Sequence, residues 1–347
     1  MGEIKIAVAG VGNLCSALVQ GVNYYKDGEA EGLINKKLGD YSVGDIKFVA
    51  AFDIDMNKIG LDLSEAIFAE PNASPKFLQV PDMGLEVEMG PAPDEVQEES
   101  MSELVRADVE ASDPVKVLRE SRADILVNMI SGGSERGSKI YAEACLEAGC
   151  AYLNATPALV VSEKEWDSKF RESGIPMAGD DLLDQVGATA VHMGLLEFLN
   201  LRGVKVGESY QLDVGGGTES INTLERTRER KRKLKTRTVS RAVPYSFPLI
   251  SGSMDFVDFL GNSRDSFFWI KGSYYCGAPF TMDVKLNTID STNGGAVLLD
   301  TIRALKISKD RGLAGAIKPI CDYGFKTGCQ SSLVESLKEF RGFVKGR

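Results

Sequence analysis

The chain has 347 residues, 43% of them hydrophobic, enough to bury a full core and to form two domains of ordinary size. No apolar run approaches the roughly 20 residues of a membrane span, and Glu3 and Lys5 lead into a strand pattern without a signal peptide, which favours a cytoplasmic protein away from membranes. The net charge of -10 argues against a nucleic-acid partner, and six cysteines without a C-x-x-C pair read as reduced thiols.

Ile4 to Ala9 and Ile46 to Phe52 are continuous apolar runs of the kind found in parallel strands covered on both faces, with a helix over Asn13 to Tyr25 between them. Residues 26 to 45, rich in Gly, Asp and Lys, read as an insertion after that helix. Residues 82 to 113 carry eleven Asp or Glu against Arg106 alone, which accounts for the whole charge imbalance. An N-cap at Ser112 or Asp113, with Pro114 in the first turn, opens a short helix, followed by a strand from Asp124 to Ile130. A helix from about Ser134 to Ala148 and a strand from Ala151 to Asn154 repeat the cycle. A third cycle has Ser162 and Glu165 as a capping box and a strand over Ile175 to Ala178. Alternation of this kind implies a doubly wound parallel sheet. From Tyr210 onward, "YQLDVGGG", "SFFWIKGSYYCG" and "FTMDVKLNTID" alternate or are aromatic-rich and predict antiparallel strands of a second domain beginning near 190 to 205. Residues 294 to 312 return to amphipathic helix.

Chemistry concentrates in four places. Gly10, Gly12 and Asn13 follow the first strand and open the first helix, where backbone amides can receive a pyrophosphate; Ser16 stands one place beyond the slot of a third glycine. Asp53, at the end of "FVAAFD", suits a ribose hydroxyl acceptor, although it arrives later than the usual spacing of about 20 residues. "GDDLLDQVGAT" places Asp180 and Asp181 at the carboxyl edge of the parallel series, where they could position a cofactor amide, hold a metal or cap a helix. In "RTRERKRKLKTRTVSR", residues 226 to 241, nine Lys or Arg face only Glu229, which fits convergence on a phosphorylated small molecule better than nucleic-acid binding. The sole histidine, His192, reads as packed in a helix, and no zinc-ligand set exists.

Taken together, "GVGNLCSALVQGVNYYKDG", "FVAAFDIDMNKIGLDLSEAIF", "GDDLLDQVGAT", "LDVGGGTESINTLERTRERK" and "NTIDSTNGGAVLLDTIRALKISKDRGLAG" resemble the inositol-phosphate synthase family in its shorter archaeal and actinobacterial form, nearly end to end. The resemblance implies an α/β fold: a Rossmann-type NAD domain over 1–190, a central α+β catalytic and tetramerisation domain over 191–293, and a C-terminal part, 294–347, returning to the first domain. It implies a homotetramer acting on a sugar phosphate, with NAD as cofactor, and leaves room for a divalent or monovalent cation. The family reaction cyclises glucose 6-phosphate to 1L-myo-inositol 1-phosphate, also named 1D-myo-inositol 3-phosphate. Oxidation at C5 is followed by enolisation, intramolecular aldol closure and reduction.

Carried over residue by residue, the resemblance assigns NAD binding to Gly10, Gly12, Asn13, Ser16, Asp53, Asp180 and Asp181. It assigns catalysis to Lys231, Lys235, Arg264, Lys326 and Asp290, and substrate binding to Asp184, Gln185, Glu219 and Arg232. Ser291 and Asn293 also find matches. The departures fall on the sugar side. The family's "GDDIKSQ" is "GDDLLDQ", which puts Leu183 and Asp184 where a lysine and a serine near the phosphate stand. "GGNTDF" appears as "GGGTES", giving Glu219 for the acid, and a family lysine aligns with Arg264, which keeps the charge without readily moving a proton. "LVNMISGGSE" alters a loop over the nicotinamide. "SKKISKT" aligns with "KRKLKTRT" in two registers, one giving Lys231 and Lys235, the other Arg232 and Thr236. Two alternatives stand beside the synthase: a divergent paralogue acting on another sugar derivative, and a non-catalytic NAD-binding regulator.

Overall fold

The structure, a computed structural model, describes residues 2–92, 104–217, 220, 221, 223, 224, 228–328 and 331–346. Glu219, Arg226 and residues 93–103 of the acidic segment lie outside these.

Six strands in chain order build the first sheet: β1 (Ile4–Ala9), β4 (Ile46–Asp53), β5 (Val87–Met89), β6 (Ile125–Asn128), β7 (Ala151–Asn154) and β8 (Pro176–Ala178). A small antiparallel ribbon, β2 (Lys37–Leu38) with β3 (Tyr41–Ser42), lies inside the expected insertion. All six are parallel and run β5-β4-β1-β6-β7-β8 across the sheet, the 3-2-1-4-5-6 arrangement of a doubly wound dinucleotide fold. The chain returns at its end to add a seventh parallel strand, β13 (Gly315–Ala316), beside β8. The apolar runs are fully buried because helices cover both faces; Ile4, Ile6, Val8, Ile125, Val127 and Leu153 have no exposed surface. The helix Asp290–Asp310, four residues longer at its start than its amphipathic pattern suggests, packs beside the helix Asn13–Tyr25. Its buried Asp300–Arg303 pair (2.7 Å) also holds the ribbon's approach through the carbonyls of Asn35 and Lys36.

The second sheet has the order β10 (Leu249–Phe256), β9 (Lys205–Gly215), β11 (Ser263–Ser273), β12 (Pro279–Ile289). The three strands visible in the sequence pair antiparallel as expected, but β10 joins β9 in parallel, so the sheet is mixed. One face packs on Met193, Leu196 and Val239; the other leaves Tyr210, Leu212, Ile250 and Phe267 partly exposed, with Tyr210 stacked on Trp269.

The capping box at Ser162 is not formed. The helix begins at Lys164 with Glu163 at its cap, because the Ser162 backbone and hydroxyl are both committed to the Asp180 carboxylate, at 3.0 and 2.8 Å. At the preceding helix, Asp113 is the N-cap and accepts from Val115, and Pro114 opens the turn.

Candidate active site

The carboxyl ends of β1, β6 and β7 face the second sheet, and between them lies a cavity of about 230 Å³. One wall is the turn after β1. Gly10 has a left-handed φ of 91°, and a Cβ there would stand 2.6 Å from the Met129 carbonyl, so the close passage of two loops requires glycine. Gly12 caps the helix Asn13–Tyr25 with no side-chain hydrogen bond and with open space where its own Cβ would be. A helix N-terminus bare of side chain and reachable by backbone is what a pyrophosphate needs, so these residues fit a dinucleotide. Asp53 accepts from Val11 N at 2.5 Å, Ile54 N at 2.7 Å and Asp55 N at 3.0 Å, so it shapes the glycine turn and retains lone pairs for a further donor. Lys58 is buried beside it, 3.9 Å from its carboxylate, and donates to Asn72. Asn72 in turn donates to the Val11 carbonyl, and Ala73 N donates to Asn13.

The opposite wall is cationic. On the helix Arg228–Val239, Lys231 and Lys235 lie one turn apart, both buried and both lining the cavity. Arg232 points outward to Glu229, and Thr236 hydrogen-bonds the backbone of Ser251. Helical phase therefore turns Lys231 and Lys235 to the cavity, and Arg232 and Thr236 away from it. The expectation that Arg232 binds substrate is corrected by its surface ion pair. Arg264 on β11 reaches Asp290 at 2.7 Å, and Lys326 donates to Asp181 at 2.8 Å and to the Leu182 carbonyl at 2.6 Å. Lys326 is delivered by a bridge of Leu182 to Phe325, and Lys326 N donates to the Asp181 carbonyl. Asp181 holds a left-handed φ of 60°, uncommon for a side-chain-bearing residue and found here at the cavity wall.

Burial pushes the Lys231 ammonium down to about 7, assisted by the charges of Lys326, Lys235 and Arg264 and opposed by Asp181. Lys326 moves the other way: burial would lower it, but Asp181 and Asp184 hold it above the ordinary lysine value. Asp181 stays below the usual carboxylate range despite burial, because Lys326 and Lys231 face it. One lysine among fixed cations is thus poised to exchange a proton near neutrality.

Several expected site residues sit elsewhere. Asp180 is fully buried behind the cavity, and its oxygens accept from Val160, Val161, Ser162 and Asn154; it clamps the 158–162 loop instead of facing a cofactor. Ser16 lies on the buried face of the first helix and accepts from Gln20 one turn on, a packing role. Gln185 donates to the Gly32 carbonyl, away from the cavity, although its backbone N binds Asn293. Asp184 does line the cavity, with Ser291 and Asn293, and its charge acts on both Arg264 and Lys326. His192 is packed in its helix, pushed down to about 4 by burial. Sequence reasoning missed Asp213, a buried carboxylate 3.1 Å from Lys235. Its signal was a charge in an inward-facing position of the alternating strand β9. Among the described residues no group of three or more His, Cys, Asp or Glu could hold a metal, and no helix is long and apolar enough to cross a membrane.

Fold and cavity together define an α/β enzyme of the doubly wound dinucleotide-binding type with a lysine-rich site at the sheet's switch point. The profile of the myo-inositol-1-phosphate synthase family matches residues 187–291. The chain is 38% identical over 338 residues to an inositol-3-phosphate synthase of Corynebacterium glutamicum, covering 93% of each. It is likewise 38% identical to that of Mycolicibacterium smegmatis, covering 94% of this chain and 93% of the relative. Among solved structures, Ari2 superposes with a TM-score of 0.78 at 30% identity over 99% of both chains. A myo-inositol-1-phosphate synthase-related protein from Thermotoga maritima shares the fold, with a TM-score of 0.77 at 21% identity over 99% of this chain and 98% of its own. The chain belongs to the myo-inositol-1-phosphate synthase family.

Proposed function

We propose that this enzyme isomerises glucose 6-phosphate to 1L-myo-inositol 1-phosphate, with NAD seated on Gly10, Gly12 and Asn13 and its ribose near Asp53. The single observation that carries the reading is the meeting of Lys231, Lys235, Arg264 and Lys326 in the same cavity as the glycine turn. When bound, NAD supplies a reversible hydride acceptor at C5, so that oxidation and later reduction of the same carbon leave no net redox change. Lys231, neutral in part at pH 7, accepts a proton from the sugar and returns one to the alkoxide formed at ring closure. Lys235 and Lys326, each fixed by a carboxylate, stabilise the oxyanions of the enolate and the alkoxide. Arg264, oriented by Asp290, contributes charge without carrying protons. The relatives' names and the breadth of the match support the substrate; the partly exposed apolar face of the second sheet supports assembly into a homotetramer.

Purified protein given glucose 6-phosphate and NAD+ is expected to form inositol phosphate, followed by phosphorus and proton NMR, with no accumulation of NADH. Unchanged sugar phosphate in the presence of bound NAD+ would overturn the reading. A second reading, a paralogue acting on another sugar derivative, draws support from Asp184: an ionised carboxylate on the cavity wall repels a phosphate placed there. Conversion of a different sugar derivative, one without a phosphate at that point, under the same conditions would decide for it.

A further inference from the structure

Lys235 is held more elaborately than an ion pair requires. Its stem passes Gly252, where φ is 83° and a Cβ would come within 2.5 Å of Lys235 Cδ, so the side chain is threaded through a gap that only glycine leaves. At its tip, Nζ meets Asp213 Oδ2 at 3.1 Å, in a pair of which neither side chain is more than 7% exposed. Asp213 is gripped from behind: Gln211 Nε2 donates to both carboxylate oxygens, at 2.9 and 2.8 Å. Gln211 Oε1 accepts from Ser251 Oγ at 2.8 Å and lies 3.3 Å from His192 Nδ1, while His192 Nε2 lies 2.8 Å from Ser209 Oγ, which is itself 2.8 Å from the Trp269 carbonyl. The whole chain of groups runs along the buried face of β9, with the imidazole edge-on to Phe268.

We propose that Asp213 is a positioning residue that fixes the Lys235 ammonium at the cavity wall, and that Gln211 and His192 hold Asp213 in turn; this rests on reading the cavity as the active site. Donor and acceptor chemistry limits where the network's protons can sit. A carboxylate only accepts, so the Gln211 amide must turn its NH2 to Asp213 and its carbonyl to His192. A carbonyl cannot donate, so a hydrogen bond between them needs the hydrogen on Nδ1; the proposed network therefore takes the Nδ1–H tautomer, with Ser209 Oγ turning its hydrogen from the Trp269 carbonyl to Nε2. With asparagine in place of Asp213, the new amide can donate to the Gln211 carbonyl. Gln211 then turns over, its NH2 meets Nδ1, and the imidazole carries its hydrogen on Nε2 toward Ser209.

Because His192 is the sole histidine, 15N-histidine labelling of the intact protein reads this one ring. In the wild type a protonated Nδ1 and an unprotonated Nε2 are expected, and in Asp213→Asn the reverse. The wild-type spectrum tests the network even if the variant fails to fold: a wild-type ring with its hydrogen on Nε2 overturns the proposal. For catalysis, Asp213→Asn is expected to lower kcat tenfold or more, and the double variant with Lys235→Met is expected to be no slower than Lys235→Met alone. If the two losses multiply, Asp213 does not act through Lys235 and the role is wrong. The tautomer exchange in a protein that never converts glucose 6-phosphate would uphold the positioning network and overturn the substrate assignment instead.

Discussion

Replacing Lys231 with Met tests the central electrostatic claim without any substrate. In the folded chain its ammonium titrates near 7, because burial and three neighbouring cations outweigh Asp181; unfolded, it returns to about 10.5. Between those values the unfolded state binds the proton that the folded state has released, so stability must rise with pH. The slope is about 1.4 kcal/mol per pH unit, roughly 3 kcal/mol over two units of mildly alkaline pH, and the full cost of folding with the charge in place is about 5 kcal/mol below neutrality. Methionine keeps the length of the stem and carries no proton. Relative to wild type, Lys231→Met should therefore be most stable on the acid side of neutrality and lose its advantage steadily as the pH rises. Paired denaturant midpoints for the two proteins across that range read the difference directly, cancelling groups that titrate in both. A difference independent of pH would show that Lys231 remains an ordinary ammonium, and with it would fall the proton-exchange role.

Further expectations concern activity and binding. Turnover should rise through about pH 7 as Lys231 loses its proton; Lys231→Met or Lys235→Met should cost at least a hundredfold, while Lys205→Met, on the exposed start of β9, should cost less than twofold, and equal losses at all three would undo the site. Asp184→Ser should tighten glucose 6-phosphate binding severalfold by removing a like charge from the cavity wall, measured by calorimetry with NAD present; unchanged binding means that the phosphate lies elsewhere. NAD should bind at least tenfold more tightly than NADP, because Asp53 repels a 2′-phosphate, and comparable NADP affinity would show that the buried Lys58 beside it dominates.

The parallel sheet was legible because buried strands are apolar throughout and each is followed by a helix, and β1, the first helix and β7 fall within the predicted bounds. Strand β10 was not, since "LISGSMDF" has neither clean alternation nor an apolar run, and its pairing with β9 depends on a distant connection. In the basic helix the pattern showed charge at every phase, and only packing against the second sheet selects Lys231 and Lys235 as the buried pair. Asp180 looked like a ligand because two adjacent carboxylates at a strand end suggest one; its use as a clamp depends on the 158–162 loop folding back, which no local signal announces. Asp213 was hidden for the opposite reason: a single acid in a strand reads as solvent-facing until the register places it on the inner face.

The segment from Asn72 to Phe77 is stitched to the glycine turn and its helix through Val11, Asn13 and Gln20, and Ser74 meets Ser291 at the head of the long C-terminal helix. An ordinary dehydrogenase must discharge its spent cofactor after each turnover, and so needs a doorway that opens on that timescale. Under the proposed cycle, which returns the dinucleotide to its starting state, residence can outlast many turnovers, and a seam of short polar contacts beside the turn costs nothing in throughput. The purified protein should accordingly carry its dinucleotide through gel filtration, and sugar exchange should be far faster than exchange of the cofactor.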